Sequence, residues 1–103
     1  MISELVLKVL KPNTVDWRIA FMAEVHTELD VLCRELSWKW VKREDNNLQI
    51  ELSNGHIFQV INEEGVVRIK TSASRNFYTL ISTHTGLQTI AYHITELAKK
   101  PQK

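Results

Sequence analysis

The chain has 103 residues, enough for one domain and too few for two. Apolar residues make up 44% and charged residues 24%, a balance that argues against intrinsic disorder. The formal net charge of +1 is too small to attract nucleic acid through a bulk field. No apolar run is long enough for a membrane span, and a single cysteine cannot form an internal disulfide, so we expect a cytoplasmic protein with no membrane contact.

Residues 3–11 fit two structures. As a helix, the segment begins after Ser3 and separates charged from apolar side chains, whereas as a strand it alternates poorly. We favour a short helix. Because Glu4 and Lys8 interrupt the apolar run, we do not expect a signal peptide.

The strongest helical pattern follows Pro12. Asn13 or Thr14 can cap this helix, and Asp16 places a negative charge in its first turn. Apolar positions then recur at spacings of three and four, with His26 among them: Val15, Ile19, Met22, Val25, His26, Leu29, Leu32, Cys33 and Leu36. We therefore predict a long amphipathic helix that ends near Leu36 or Ser37.

The segment WKWVKR at 38–43 predicts a first strand, followed by EDNN as a turn. Strict alternation places Trp38 and Trp40 on one face, which we assign to the core. Lys39 and Arg43 then lie on the opposite face.

Residues 46–71 contain three alternating runs separated by two turns that end in glycine, which predicts a three-stranded β-meander. At the first turn, a three-residue loop with a left-handed Gly55 sets Ile50 opposite Phe58 and makes one face uniformly apolar. At the second, a loop centred on Glu63 and Glu64 pairs Val60 with Val67. The predicted core face comprises Leu48, Ile50, Leu52, Phe58, Val60, Val67 and Ile69.

Residues 77–82 can form a fifth strand or an irregular approach to the last helix. In that helix Thr85 and Gln88 have the spacing of a capping box, and the apolar stripe comprises Leu87, Ile90, Ala91, Ile94, Leu97 and Ala98. The sequence thus predicts one α+β domain over residues 1–103, with an antiparallel β-meander of four or five strands packed on a long N-terminal helix and a C-terminal helix.

No group of residues predicts catalysis, a cofactor or a metal site. His26 and Cys33 are seven residues apart, about 10 Å along a helix, too far for a nucleophile and its base. His56, His84 and His93 have no zinc-motif spacing, and no second cysteine exists. We expect a protein that is not an enzyme, in which His26 forms a hydrogen bond through one ring nitrogen.

Two surfaces remain as candidates. Ile57, Ile61 and Val66 point away from the predicted core, Ile61 opposite Val66, and form an apolar patch rimmed by Arg68 and Lys70. Either residues 3–11 or 77–82 cover this patch, or a partner chain does. The second surface is basic and would contact nucleic acid through Lys39, Lys42, Arg43, Arg68 and Lys70.

The order of elements over residues 15–98, a helix leading into a β-meander and then a closing helix, resembles small secretion-chaperone-like and YbjN-like domains. Those domains dimerise and bind other proteins, and the resemblance assigns no functional residue. We expect a small non-catalytic interaction or regulatory module of the adaptor or chaperone-like kind. It would be a homodimer that recognises a protein partner through the outer sheet face or a sheet edge. A nucleic-acid-binding protein is the alternative.

Overall fold

The computed structural model describes residues 17–64, 66–80 and 83–102, which form an α+β arrangement of two helices and one five-stranded antiparallel sheet. The elements are α1 (Trp17–Leu36), β1 (Lys39–Glu44), β2 (Asn47–Glu51), β3 (Ile57–Glu63), β4 (Val66–Thr71), β5 (Tyr78–Leu80) and α2 (Thr83–Ala98). The strands lie in the sheet in chain order, so the predicted meander is confirmed, with the fifth strand present. The helix predicted at 3–11 and the caps predicted before residue 17 lie outside the described residues.

Helix α1 ends where it was predicted to end. Ser37 has a φ of 58°, a left-handed conformation that stops the helix directly after Leu36. The predicted apolar stripe is partly wrong, because Ile19 is 59% exposed and Phe21 is fully buried in its place. The helix is rotated on the sheet so that Phe21 and Val25 point into the core.

Helix α2 begins at Thr83, so Thr85 lies inside the helix and the predicted capping box is wrong. Its buried residues are Ile90, Ile94 and Leu97, as the stripe predicts. A Cβ added at Gly86 would lie 2.8 Å from Cζ of Phe21. This glycine therefore allows the close approach of α2 to α1.

The predicted register of β2 and β3 is confirmed. Ile50 pairs with Phe58 and Leu48 with Val60, and Gly55 has a φ of 84°. A three-residue loop joins the strands, since the Leu52 amide donates to the His56 carbonyl at 2.9 Å. The uniform apolar face and the left-handed glycine together fix this hairpin.

The predicted register of β3 and β4 is wrong by two residues. Val60 pairs with Ile69, not Val67, and Glu63 pairs with Val66, so two residues join the strands. Glu64 has a φ of 53°, which suits this tight connection. Because side chains alternate with a period of two, the shift leaves every residue on its predicted face.

One apolar cluster fills the space between the helices and the sheet. It contains all seven residues predicted for the core face of the sheet, with buried residues of α1 and α2 packed on them. Trp38 and Trp40 are partly buried against the same cluster, on the predicted face. Both helices therefore lie on one face of the sheet.

Strand β1 is irregular in its middle. Its pairing with β2 shifts between Trp40 and Lys42, so Val41 forms a β-bulge. Trp40 pairs with Ile50 and Arg43 with Leu48, both of which are core-face residues. The extra residue turns Arg43 to the helix side of the sheet, and the prediction that it shares the outer face with Lys39 is wrong.

Candidate interaction surface

We call the face of the sheet opposite the helices the outer face. Along β3 its residues are Ile57, Gln59, Ile61 and Glu63, which alternate with the buried Phe58 and Val60. Neither described helix packs on this face, because both contribute to the single core cluster on the other side.

The outer patch, defined as Ile57, Ile61 and Val66, lies on this face, and all three residues are half-buried. Ile57 and Ile61 flank Gln59 on the central strand. The expectation that Ile61 faces Val66 is wrong, because Ile61 pairs with Arg68. Val66 is the diagonal neighbour of Ile61, two residues along β4, so the three side chains still form one group.

Arg68 and Lys70 border the outer patch on β4. Lys70 pairs with Gln59, and both cations approach the ring of Phe77, with Lys70 Nζ 4.7 Å and Arg68 Cζ 6.0 Å from its centroid. Phe77 is 47% exposed. An aromatic ring between two cations extends the apolar surface toward β5 and limits the freedom of both side chains.

The basic surface predicted for nucleic acid is divided by the fold. Lys39 and Lys42 pair with Glu51 and Gln49, so they share the outer face with Arg68 and Lys70. Arg43 lies on the helix side. Acidic residues are interleaved with the outer cations: Glu44, Glu51 and Glu63. The outer face therefore carries charges of both signs and no uninterrupted basic strip.

A polar group that the sequence analysis did not predict lies on the helix side, where α1 meets β1. We call His26, Asp30, Trp40 and Arg43 the helix-side cluster. Arg43 donates from Nε to His26 Nε2 at 2.6 Å and from Nη2 to Asp30 Oδ1 at 3.1 Å. Its guanidinium lies 4.9 Å from the Trp40 ring centroid. His26 and Asp30 are four residues apart on one helical face, the only feature of the sequence that could have indicated the cluster.

His26 accepts a hydrogen bond from a permanent cation, which determines its tautomer. A guanidinium can only donate, so Nε2 carries the lone pair and the neutral ring carries its proton on Nδ1. The ring also lies edge-on to Trp40, with centroids 5.3 Å apart. His26 thus connects α1 to β1 through one ring nitrogen, as the sequence predicts.

The helix-side cluster borders a cavity of about 290 Å³. Its lining includes His26 and Arg43 from the cluster, and Glu44 and Asp45 from the end of β1. Asp30 pairs with Arg43 and offsets its charge. Among the described residues that line the cavity, none is a serine, cysteine or lysine that His26 could activate.

Cys33 is buried in the core on the next turns of α1. Burial raises the pKa of its thiol above the ordinary value, and the charge of Asp30 raises it further, while Arg43 acts in the opposite direction. A thiol that holds its proton above neutral pH is a poor nucleophile.

His56 and His93 take part in structural contacts. His56 lies 3.1 Å from both Ser72 Oγ and the Pro101 carbonyl oxygen, and the ring of His93 packs against Tyr78. Among the residues that the structure describes, no three histidine, cysteine, aspartate or glutamate side chains are grouped as metal ligands would be. In the same residues, no helix combines the length and apolar character that a membrane span requires.

A second apolar surface lies between α1 and α2. The groove has a volume of about 450 Å³ and is lined mainly by Val25, Leu29, Leu32, Leu87, Ile90, Ala91 and Ile94. Leu32 and Leu87 are only partly buried at its rim. Its shape suits apolar side chains, and Glu28 is the one charged residue among the described residues that line it.

Both edges of the sheet are poor templates for strand addition. The β1 edge is interrupted by the bulge at Val41 and carries Lys39 and Lys42, and the β5 edge has three residues, Tyr78–Leu80. Bulges, lysines and short edge strands are the features by which sheets avoid pairing with other chains. The geometry therefore favours the outer face over a sheet edge as a contact surface.

Comparisons with protein-family models, with curated proteins and with solved structures found no match to this chain. The site must therefore be interpreted from its own geometry.

Proposed function

We propose that this chain is a non-catalytic interaction module of the adaptor or chaperone-like kind that forms a homodimer through the outer face of its sheet. One observation supports the proposal above the others. Ile57 and Ile61 lie on the central strand of a face that neither described helix covers, with Val66 beside them. Clustered β-branched residues on such a face are typical of a contact surface.

The composition of the outer face suits this role. Apolar residues lie at its centre, and lysine, arginine and glutamate lie toward its borders, which is the arrangement of protein interfaces. The strands lie about 4.8 Å apart and the longer ones are about 20 Å long. If two outer faces pack on each other, they bury on the order of 1,000 Å² of surface, summed over both copies. That area is at the lower end of specific interfaces, so we expect a dissociation constant in the micromolar range.

The test replaces Ile61 by lysine. We expect sedimentation velocity to show the wild-type protein changing from monomer to dimer as its concentration rises, while Ile61→Lys stays monomeric. Thr27→Lys is the control, since Thr27 is exposed on α1, on the side of the sheet away from the outer face. A wild-type protein that is monomeric at about 100 µM, or an Ile61→Lys variant that dimerises normally, would contradict the proposal. Circular dichroism confirms that each variant is folded.

Nucleic-acid binding is the alternative function. Four of its five predicted residues share the outer face, but Arg43 is bound to Asp30 on the other side and the outer glutamates oppose a phosphate backbone. This alternative requires binding to single- or double-stranded probes at low ionic strength, with affinity that falls steeply as salt is added. The homodimer proposal expects no such binding.

A further inference from the structure

We infer that the two copies meet with their β3 strands face to face and pointing in the same direction, about a two-fold axis parallel to β3. This inference rests on the proposed homodimer and specifies its geometry. It follows from the positions of the charged residues in the register of the outer face.

Three rows cross the outer face at right angles to the strands. The middle row contains Lys42, Gln49, Gln59 and Lys70. The row on one side contains Lys39, Glu51 and Ile57, and the row on the other contains Glu44, Asn47, Ile61, Arg68 and Thr79. The central strand, β3, thus carries no charge in these three rows. The cations of β4 and the glutamate of β2 lie on opposite sides of β3.

A two-fold axis parallel to β3 places each residue of β3 opposite its own copy. Ile57 then packs on Ile57, and Ile61 on Ile61. Strand β4 lies over β2 of the second copy, so Lys70 faces Gln49 and lies one row from Glu51, within reach of a lysine side chain. Lys42 of the second copy lies in the same row as Lys70 and one strand away, so the two lysines are displaced from each other and not directly opposite. Glu63 is the one charged residue of β3 that would face its own copy. It lies beside the loop between β3 and β4, where water screens the pair.

The other face-to-face arrangement has its axis perpendicular to the strands. It places β4 over β4, so that Lys70 meets either Lys70 or Arg68 of the second copy. Like charges placed opposite each other across an interface oppose association. Both axes keep the strands of the two sheets aligned, as packed sheets require, so the charges decide between them.

The first test uses cysteine cross-linking. A residue on the axis meets its own copy, so Gln59→Cys should be joined into a covalent dimer by a short bifunctional maleimide. Thr79→Cys is the control, because its two copies would lie about 19 Å apart, four strand spacings, as well as on opposite sheets. The buried Cys33 should give no product in the wild-type protein. Cross-linking at Thr79 but not at Gln59 would overturn the inference.

The second test exchanges charges. Within one chain Lys70 and Glu51 are separated by β3, about 10 Å, so they interact weakly. Lys70→Glu should raise the dissociation constant about tenfold, and adding Glu51→Lys should restore most of the affinity. If Ile61→Lys abolishes the dimer but the exchange restores nothing and Gln59→Cys does not cross-link, this geometry is wrong while the proposed function stands. A monomeric wild-type protein contradicts both.

Discussion

Asn54, in the loop between β2 and β3, donates its side-chain amide to the carbonyl oxygen of Leu97 at 2.8 Å, across 43 residues of sequence. The same nitrogen lies 3.1 Å from the Lys100 carbonyl, and the side-chain oxygen accepts from the His56 amide. The hairpin loop thus binds carbonyl groups at the C-terminal end of α2, where the Leu97 carbonyl also accepts from the Lys100 amide at 3.2 Å.

Asn54→Ala should therefore lower the free energy of unfolding by about 1–2 kcal/mol, because three hydrogen bonds are lost at a half-buried position. Urea denaturation followed by circular dichroism measures the change. Ser53→Ala, at the exposed neighbouring position, should have little effect. Equal effects of the two substitutions would show that the contact with α2 is not stabilising.

The helix-side cluster predicts a difference between two adjacent cations of β1. Arg43→Ala removes the bonds to His26 and Asp30 and should cost about 0.5–1.5 kcal/mol, a modest value because the arginine side chain is 48% exposed. Lys42→Ala, on the outer face, should be nearly neutral. Arg43→Lys should behave like the alanine variant, since an ammonium group cannot donate to His26 and Asp30 at once as the planar guanidinium does. Equilibrium unfolding in urea checks all three variants.

The contact between Gly86 and Phe21 predicts that Gly86→Ala is destabilising, although alanine favours helices by about 1 kcal/mol over glycine. The added methyl group would lie 2.8 Å from a fully buried ring, and overpacking of this kind costs about 1–3 kcal/mol. The melting temperature should fall by several degrees.

Its control is a double-mutant cycle with Phe21→Leu, which makes room at the same place. Gly86→Ala should cost less in that background than in the wild-type protein. Additive effects would mean that the two residues do not compete for space.

The raised pKa of Cys33 predicts a dependence of stability on pH. The folded state holds the thiol proton more tightly than the unfolded state. The free energy of unfolding therefore keeps its full value below the ordinary thiol pKa of 9.0, and it falls as the pH rises from that value toward the pKa of the folded state. Cys33→Ala should lack this component of the pH dependence. Unfolding free energies of both proteins between about pH 7 and pH 10.5 test it.

The same burial predicts that Cys33 reacts slowly with a maleimide at neutral pH and rapidly once urea unfolds the protein. Rapid labelling of the folded protein would contradict the burial of the thiol.

A strand register could be predicted from the sequence only where the wrong register would have exposed apolar side chains to water. The β2–β3 register could be predicted because the alternative, a two-residue loop of Asn54 and Gly55, would have set Ile50 opposite Gln59 and mixed apolar and polar residues on both faces. The β3–β4 register could not, because moving the centre of the loop by one residue shifts the pairing by two residues and leaves the same side chains on the same face. The difference then depends on the backbone of Glu64, whose positive φ is uncommon for a residue with a side chain.

The errors in α1 and β1 arise from tertiary contacts. Ile19 and Phe21 are both apolar, and only the position of the helix on the sheet decides which one is buried. In β1 the alternation breaks where Val41 follows Trp40 and Arg43 follows Lys42, which is the position of the bulge, but the break alone does not tell which residue is the extra one. The outer patch was correctly placed on the face away from the helices, but its neighbours depended on the register that was missed.

The bulge at Val41 changes how β1 would respond to insertions and deletions. Deletion of Val41 would remove the extra residue and leave Lys42 opposite Gln49 and Arg43 opposite Leu48, each on its present side of the sheet. In a strand without a bulge, the loss of one residue exchanges the two faces for every residue beyond it. At this position β1 can therefore lose one residue without moving charge from the contact with α1 to the face proposed for dimerisation.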